Sequence, residues 1–313
     1  MISSLINIIR LKNVTIIGLS QVLIYFIFLL PIFNKLNITP VLNGHLWWLF
    51  VIDTMLIAAG SYVVNDIFDQ STDKHNKPNK STLINQSISN NLAWYIYITI
   101  TIIGLDIAIY IGFMIDKLPL IIIFPCAVGL LYYYSKSWKR KPFIGNFIVA
   151  TFCAFVPAII WYAEYDNIKL IKNISLKEYN WVVNIFTAYI SFGFLTTIIR
   201  EIIKDIEDIN GDQLSGYITL PIAIGVKKSK YLALIFSLLL LSSYVLWLKG
   251  CNGIELLILI ALLGICFVIP TFFIIYKITK AKVTQDYSKI SKYLKYIMIM
   301  SLIVFLCIPY LKK

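Results

Sequence analysis

Half of the 16 Asp and Glu residues in this chain fall in two short stretches. The first, NDIFDQSTD, runs from Asn65 to Asp73 and carries Asn65, Asp66, Asp69 and Asp73. The second, REIIKDIEDINGD, runs from Arg200 to Asp212 and carries Glu201, Asp205, Glu207, Asp208 and Asp212. At 100° per helical residue, Glu201, Asp205, Asp208 and Asp212 fall at about 0°, 40°, −20° and 20°, one narrow stripe. Asn65, Asp69, Asp73 and Asn76 fall at about 0°, 40°, 80° and 20°, with Asp66 near 100°, on a helix that Pro78 is expected to stop. Glu207, near 240°, points elsewhere and reads as a solvated or Lys204-paired charge.

Two carboxylates about 6 Å apart at an effective dielectric of about 20 repel by roughly 3 kcal/mol, so seven around one cavity require cations between them. Hard oxygen ligands in that number select Mg²⁺ or Mn²⁺, and Mg²⁺ is held by one or two carboxylates plus substrate phosphates. The implied ligand is therefore a phosphorylated or diphosphorylated molecule. A lone acidic stripe is commonly a water-facing surface. Two of related spacing, 143 residues apart from Asp69 to Asp212, call for a shared chemical cause.

The elements that must position these groups are membrane spans. The chain has 313 residues, 59% hydrophobic and 14% charged, with a mean hydropathy of +0.80, far more apolar than a soluble globular chain. Uninterrupted apolar stretches predict nine helices near 14–33, 46–64, 92–114, 118–135, 143–163, 180–199, 229–248, 254–276 and 293–310. The first lacks a small-residue cleavage site and reads as a retained span. The expected fold class is all-α integral membrane, one polytopic domain over residues 1–313. The motif separation matches a pseudo-repeated four-helix unit, spans two to five and six to nine.

Nine spans divide the loops into two sets, and 20 of the 28 Lys and Arg residues fall in the set containing the N-terminus, 65–91 and 200–228. The positive-inside rule makes that set cytoplasmic and the C-terminus external. Both acidic stretches begin where an apolar helix reaches the cytoplasmic side of the cell's inner membrane. The net charge of +12 is thus a topogenic signal, and nucleic acid is not an expected partner. Five cysteines without a C-x-x-C pair indicate neither a zinc site nor a disulfide framework, and the only histidines are His45 and His75. No G-x-G-x-x-G or G-x-x-x-x-G-K-[ST] run is present.

With these marks the chain resembles the UbiA-type intramembrane prenyltransferases over nearly its whole length. The resemblance rests on the two acidic motifs and on GYITLP from Gly216 to Pro221. Weaker marks are YSKSWKR from Tyr134 to Arg140, PFIGN from Pro142 to Asn146 and RLKN from Arg10 to Asn13. The chain departs from the family at Leu11, where a proline is usual, and at Lys80-Ser81, where Arg-Pro is usual; Lys keeps the charge but not the bidentate fork.

The resemblance implies a nine-helix bundle around a central cavity, two Mg²⁺ ions, and transfer of a polyprenyl group from its diphosphate. Asn65, Asp66, Asp69 and Asp73 would bind one ion, and Asp205, Asp208, Asp212 and Glu201 the other. Lys139, Arg140 and Arg200 would neutralise the departing pyrophosphate, with Arg10, Asn13 and Lys80 in substrate binding. Tyr134, with Tyr132 and Tyr133, would shield an allylic cation. Among branches, KDIEDINGD with TLPI most resembles the digeranylgeranylglyceryl phosphate synthases, which implies a lipid-phosphate acceptor, geranylgeranylglyceryl phosphate. An aromatic quinone precursor is the alternative acceptor. A different class, an ion-coupled transporter, could use Asp53 and Asp106 inside spans, but transporter sites lie near the midplane rather than at helix ends.

Overall fold

Apolar runs of about 20 residues leave the backbone no partner but itself in lipid, and helices follow. In the computed structural model, which describes residues 2–70, 84, 87–248 and 253–307, the regular structure is almost entirely helical. Among the described residues, eight helices are long and apolar enough to cross a membrane: Leu11–Lys35, Gly44–Phe68, Asn90–Met114, Leu118–Lys136, Ile144–Ala163, Leu176–Glu207, Val226–Val245 and Ile260–Lys280. The last expected stretch falls on the helix Thr284–Cys307, which is not among these eight.

Two of these helices contain π turns, Leu23–Leu29 and Gly264–Val268. Pro31 and Pro270 follow two residues after each. A proline has no N–H to donate and its ring collides with the carbonyl four residues back, here that of Ile27 or Cys266, so the turn widens.

The chain forms two compact units. The first comprises Met1–Leu19, Leu42–Gly145 and Ile209–Thr219. In it the helix Gly44–Phe68 packs against Asn90–Met114 and Leu118–Lys136. Near its C-terminal end an apolar cluster of Ile8, Val63, Ile67, Ile84, Ile88 and Ala93 pins the short helix Ile2–Ile8 beside the first motif. Burying such side chains contributes roughly 1.5–3 kcal/mol each, which is what holds Arg10 near that motif.

The second unit comprises Ser20–Val41, Asn146–Asp208 and Leu220–Lys313. Its axis is the 32-residue helix Leu176–Glu207, started by Ser175, whose hydroxyl accepts from the Glu178 N–H. The helix packs against Val226–Leu248 and Thr284–Cys307, and the Tyr189 hydroxyl donates to the Ser301 carbonyl at 2.7 Å. At about 1.5 Å per residue it is about 48 Å long, against a hydrocarbon core of about 30 Å. The excess lets its last two turns carry Arg200 to Glu207 beyond the apolar stretch. The short helix Tyr165–Ile174 occupies a stretch the sequence marks only as a connection; it buries Asn167, Ile168 and Ile171 and exposes Lys169 and Lys172.

Candidate active site

In the first unit, Asn65 and Asp66 lie in the last turn of Gly44–Phe68, and Asp69 caps it through its N–H to the Asn65 carbonyl at 3.0 Å. The expected continuous helix to Pro78 is therefore corrected: the helix ends at Phe68. At this end the Asn65 and Asp69 side chains also bond each other (Nδ2 to Oδ2, 2.7 Å), which holds the two motif residues together across the last turn. Asp73, Pro78 and Lys80 lie outside the described residues.

Each described acid of this motif has a cation from its own unit. Arg10 adopts a left-handed backbone (φ +50°) between Ile2–Ile8 and the first span, at a cost of roughly 1–2 kcal/mol, and donates to Asp66 Oδ1 at 2.6 Å. Its guanidinium also lies 5.0 Å from the centre of the Tyr62 ring. Burial pulls the Arg10 pKa down, but the charge and hydrogen bond of Asp66, aided by Tyr62 and Asp69, reverse this and hold it above its ordinary value. Asn13, in the first turn of the following helix, donates its N–H to the Arg10 carbonyl at 2.8 Å.

Lys139 Nζ donates to Asn65 Oδ1 at 3.2 Å and pairs with Asp69. It stands on the 3-10 turn Trp138–Arg140, which is held close to the start of the next helix. A Cβ on Gly145 would sit 2.8 Å from Lys139 Cα, so only glycine fits there. Gly145→Ala is expected to displace Lys139 and lower kcat/KM by about 10²-fold, with a loss of roughly 1–3 kcal/mol in stability, as measured with labelled donor and a thermal unfolding curve. Wild-type kinetics in this variant would remove the turn from the site.

The segment after the second motif also belongs to this unit. The Ile218 N–H donates to the Arg140 carbonyl at 3.0 Å, and the Arg140 guanidinium lies 4.7 Å from the Tyr217 ring centre. Gly216 turns the chain with φ +72°, and Asp212 is buried, its carbonyl accepting from the Tyr217 N–H at 2.9 Å.

In the second unit, Arg200 pairs with Glu201 at 2.6 Å, and Asn146 Nδ2 donates to Asp205 Oδ2 at 2.8 Å. Asp208 caps Leu176–Glu207 through its N–H to the Lys204 carbonyl. A new short helix, Ile209–Leu214, follows. The four-acid stripe assumed one continuous helix, and this is corrected: the run Asp208-Ile209-Asn210-Gly211-Asp212 is rich in poor helix formers and breaks at Asp208. Asp212 accordingly groups with the first unit, whereas Glu201, Asp205 and Asp208 group with the second.

Of the tyrosine run, Tyr133 is 54% exposed and stacks on Trp138, as an interfacial residue would. Tyr132 meets Phe68 edge-on at 5.7 Å, and Tyr134 is partly buried at the end of Leu118–Lys136. Asp53 is fully buried, with neither carboxyl oxygen hydrogen-bonded among the described residues, and Asp106 is exposed. Asn146, Gly145 and Tyr217 gain contacts that residue type alone does not announce; their only signal is their place in PFIGN and GYITLP.

Among the described residues no three acidic, His or Cys side chains converge tightly enough to cage an ion. The donors are all hard oxygens, one or two at a time, and that set fits Mg²⁺ completed by substrate phosphate rather than an all-protein cage.

The UbiA prenyltransferase family matches residues 35–293. A digeranylgeranylglyceryl phosphate synthase of Saccharolobus solfataricus is 35% identical over 260 residues, 82% of this chain and 83% of the relative. A solved structure of digeranylgeranylglyceryl phosphate synthase superposes with a TM-score of 0.64 at 27% identity, over 97% of this chain and 96% of that one. A UbiA homologue from Archaeoglobus fulgidus, solved with DMAPP and Mg²⁺, shares the fold at a TM-score of 0.58 and 16% identity, over 95% and 98% of the two chains. Apolar helices of spanning length, two acid motifs at helix ends and a family match over most of the sequence converge on one statement: this integral membrane protein belongs to the UbiA prenyltransferase family.

Proposed function

We propose that the chain transfers a polyprenyl group from polyprenyl diphosphate to the free hydroxyl of geranylgeranylglyceryl phosphate, in an Mg²⁺-dependent reaction open to the cytoplasmic side of the inner membrane. The observation that carries the acceptor is the 35% identity, over four-fifths of both chains, to a synthase of that ether lipid. The same reading takes Thr284–Cys307 as a ninth span in one polytopic domain over residues 1–313. The two four-helix repeats then follow the first span, with the N-terminus inside and the C-terminus outside.

Asn65, Asp66, Asp69 and Asp73 would hold one Mg²⁺, and Glu201, Asp205, Asp208 and Asp212 a second, with Mn²⁺ as a substitute. The bound metal supplies Lewis-acid neutralisation of the leaving pyrophosphate. Arg10, Lys139, Lys80 and Arg200 add positive charge to the same diphosphate, and Asn13 steadies the Arg10 backbone. The allylic C–O bond of the donor breaks, with its electron pair leaving on pyrophosphate. The acceptor oxygen forms the ether bond, and its proton passes to a motif carboxylate among Asp69, Asp73, Asp208 and Asp212. Tyr134 presents an aromatic face to developing positive charge and helps to exclude water.

Incubating the purified protein with labelled geranylgeranyl diphosphate, Mg²⁺ and a panel of acceptors tests this. Geranylgeranylglyceryl phosphate is expected to be prenylated in preference to dihydroxynaphthoate, homogentisate or hydroxybenzoate. Turnover of an aromatic, with none of the glyceryl phosphate, would replace this reading with quinone-precursor prenylation.

A further inference from the structure

The segment Ser215–Thr219 carries three side-chain hydroxyls whose surroundings are not those of structural hydroxyls. Tyr217 is 7% exposed and Thr219 3%, and the alternation of buried Tyr217, exposed Ile218 and buried Thr219 puts both on one side of an extended stretch. Neither the Tyr217 hydroxyl, the Thr219 Oγ1 nor the Ser215 Oγ has a hydrogen-bond partner among the described residues, although all three atoms are buried. Arg140 Nε is buried and unpartnered in the same way. The Ile218–Arg140 backbone bond and the Arg140–Tyr217 stack fasten the two elements together within one unit.

Leaving a single buried polar group unpaired is costly, so three hydroxyls and a guanidinium nitrogen on one fastened pair of segments mark a place built for a ligand. All four can donate, and one belongs to a permanent cation; the complementary ligand is an anion with several acceptor oxygens. None of the four atoms is a carboxylate, so this anion is bound directly rather than through a metal. The diphosphate is instead matched to the acid motifs and to Arg10 and Lys139, and the seat lies next to those groups in the chain, with Arg140 beside Lys139 and the Tyr217 N–H on the Asp212 carbonyl.

We infer that Arg140, Ser215, Tyr217 and Thr219 form the seat for the phosphate monoester of the acceptor, with Arg140 serving this group rather than the departing pyrophosphate. The inference rests on the glyceryl phosphate reading above and makes this seat the determinant of acceptor class.

The test uses the full-length protein in detergent and the near-isosteric variants Tyr217→Phe and Thr219→Val, with Ser215→Ala as a third. Michaelis constants are measured separately for geranylgeranylglyceryl phosphate and for geranylgeranyl diphosphate. Calorimetric titration with geranylgeranylglyceryl phosphate, without donor, gives the binding constant directly. Each variant is expected to raise the acceptor KM and Kd by roughly tenfold or more while leaving the donor KM within about twofold. A rise in donor KM instead, or unchanged acceptor binding in all three folded variants, overturns the seat. Wild-type protein that neither binds nor prenylates the glyceryl phosphate overturns the acceptor reading, and the seat with it.

Discussion

Asp69→Asn is expected to lower prenyl transfer by at least about 10³-fold while the protein stays folded. Asp69 is the point where the first motif converges: its carboxylate takes the Asn65 amide and the Lys139 ammonium, and its backbone caps the helix. Asparagine keeps the shape and one acceptor oxygen, gives up one of the two contacts, and removes the charge that a metal requires. Alanine is the harsher change, because it strands a Lys139 side chain that is 10% exposed, a loss on the order of 3 kcal/mol for a largely buried pair. Radiolabelled product formation at saturating substrate, read beside a thermal unfolding curve, separates the two effects. Activity above a tenth of wild type in a folded Asp69→Asn protein would strike this residue from the ligand set.

Chelation should be as severe and, unlike mutation, reversible. EDTA is expected to bring transfer to background, and excess Mg²⁺ to restore it, because the motif acids are anions that repel the departing pyrophosphate unless a cation lies between them. Circular dichroism should not change, since helices within the bilayer are held by their own backbone bonds and by packing. Full turnover in the presence of chelator would rule out the metal-dependent reaction whatever the fold.

Sequence alone carried the architecture a long way, for a physical reason: spans of about 20 apolar residues are dictated by bilayer thickness, and eight of the nine predicted stretches coincide with helices of crossing length and composition. The motif acids were legible as types and spacings. Their angular arrangement was not, because a regular 100° step holds only along an unbroken helix, and both motifs end theirs at an aspartate, Asp69 and Asp208. The pairing of each carboxylate was also out of reach. Arg10 to Asp66, Lys139 to Asp69 and Asn146 to Asp205 join residues 56, 70 and 59 positions apart, and no local periodicity encodes such contacts. Gly145 matters only because another backbone passes within 2.8 Å of where its Cβ would be.

That the first unit is assembled from three separated stretches sets the order of events during synthesis. The ribosome must make the whole stretch between Gly145 and Ile209, roughly 60 residues or about 3–12 s of elongation, before Asp212 and the segment that clasps Arg140 exist. Throughout that interval the nascent chain displays the first motif without its completing segment. Arg10, made before that motif, and Lys139, made after it, can already neutralise Asp66 and Asp69, so the unfinished chain need not hold bare carboxylates against the membrane surface. A chain released before Ile218 lacks the Ile218 clasp altogether, and truncation products should accordingly be inert rather than partially active.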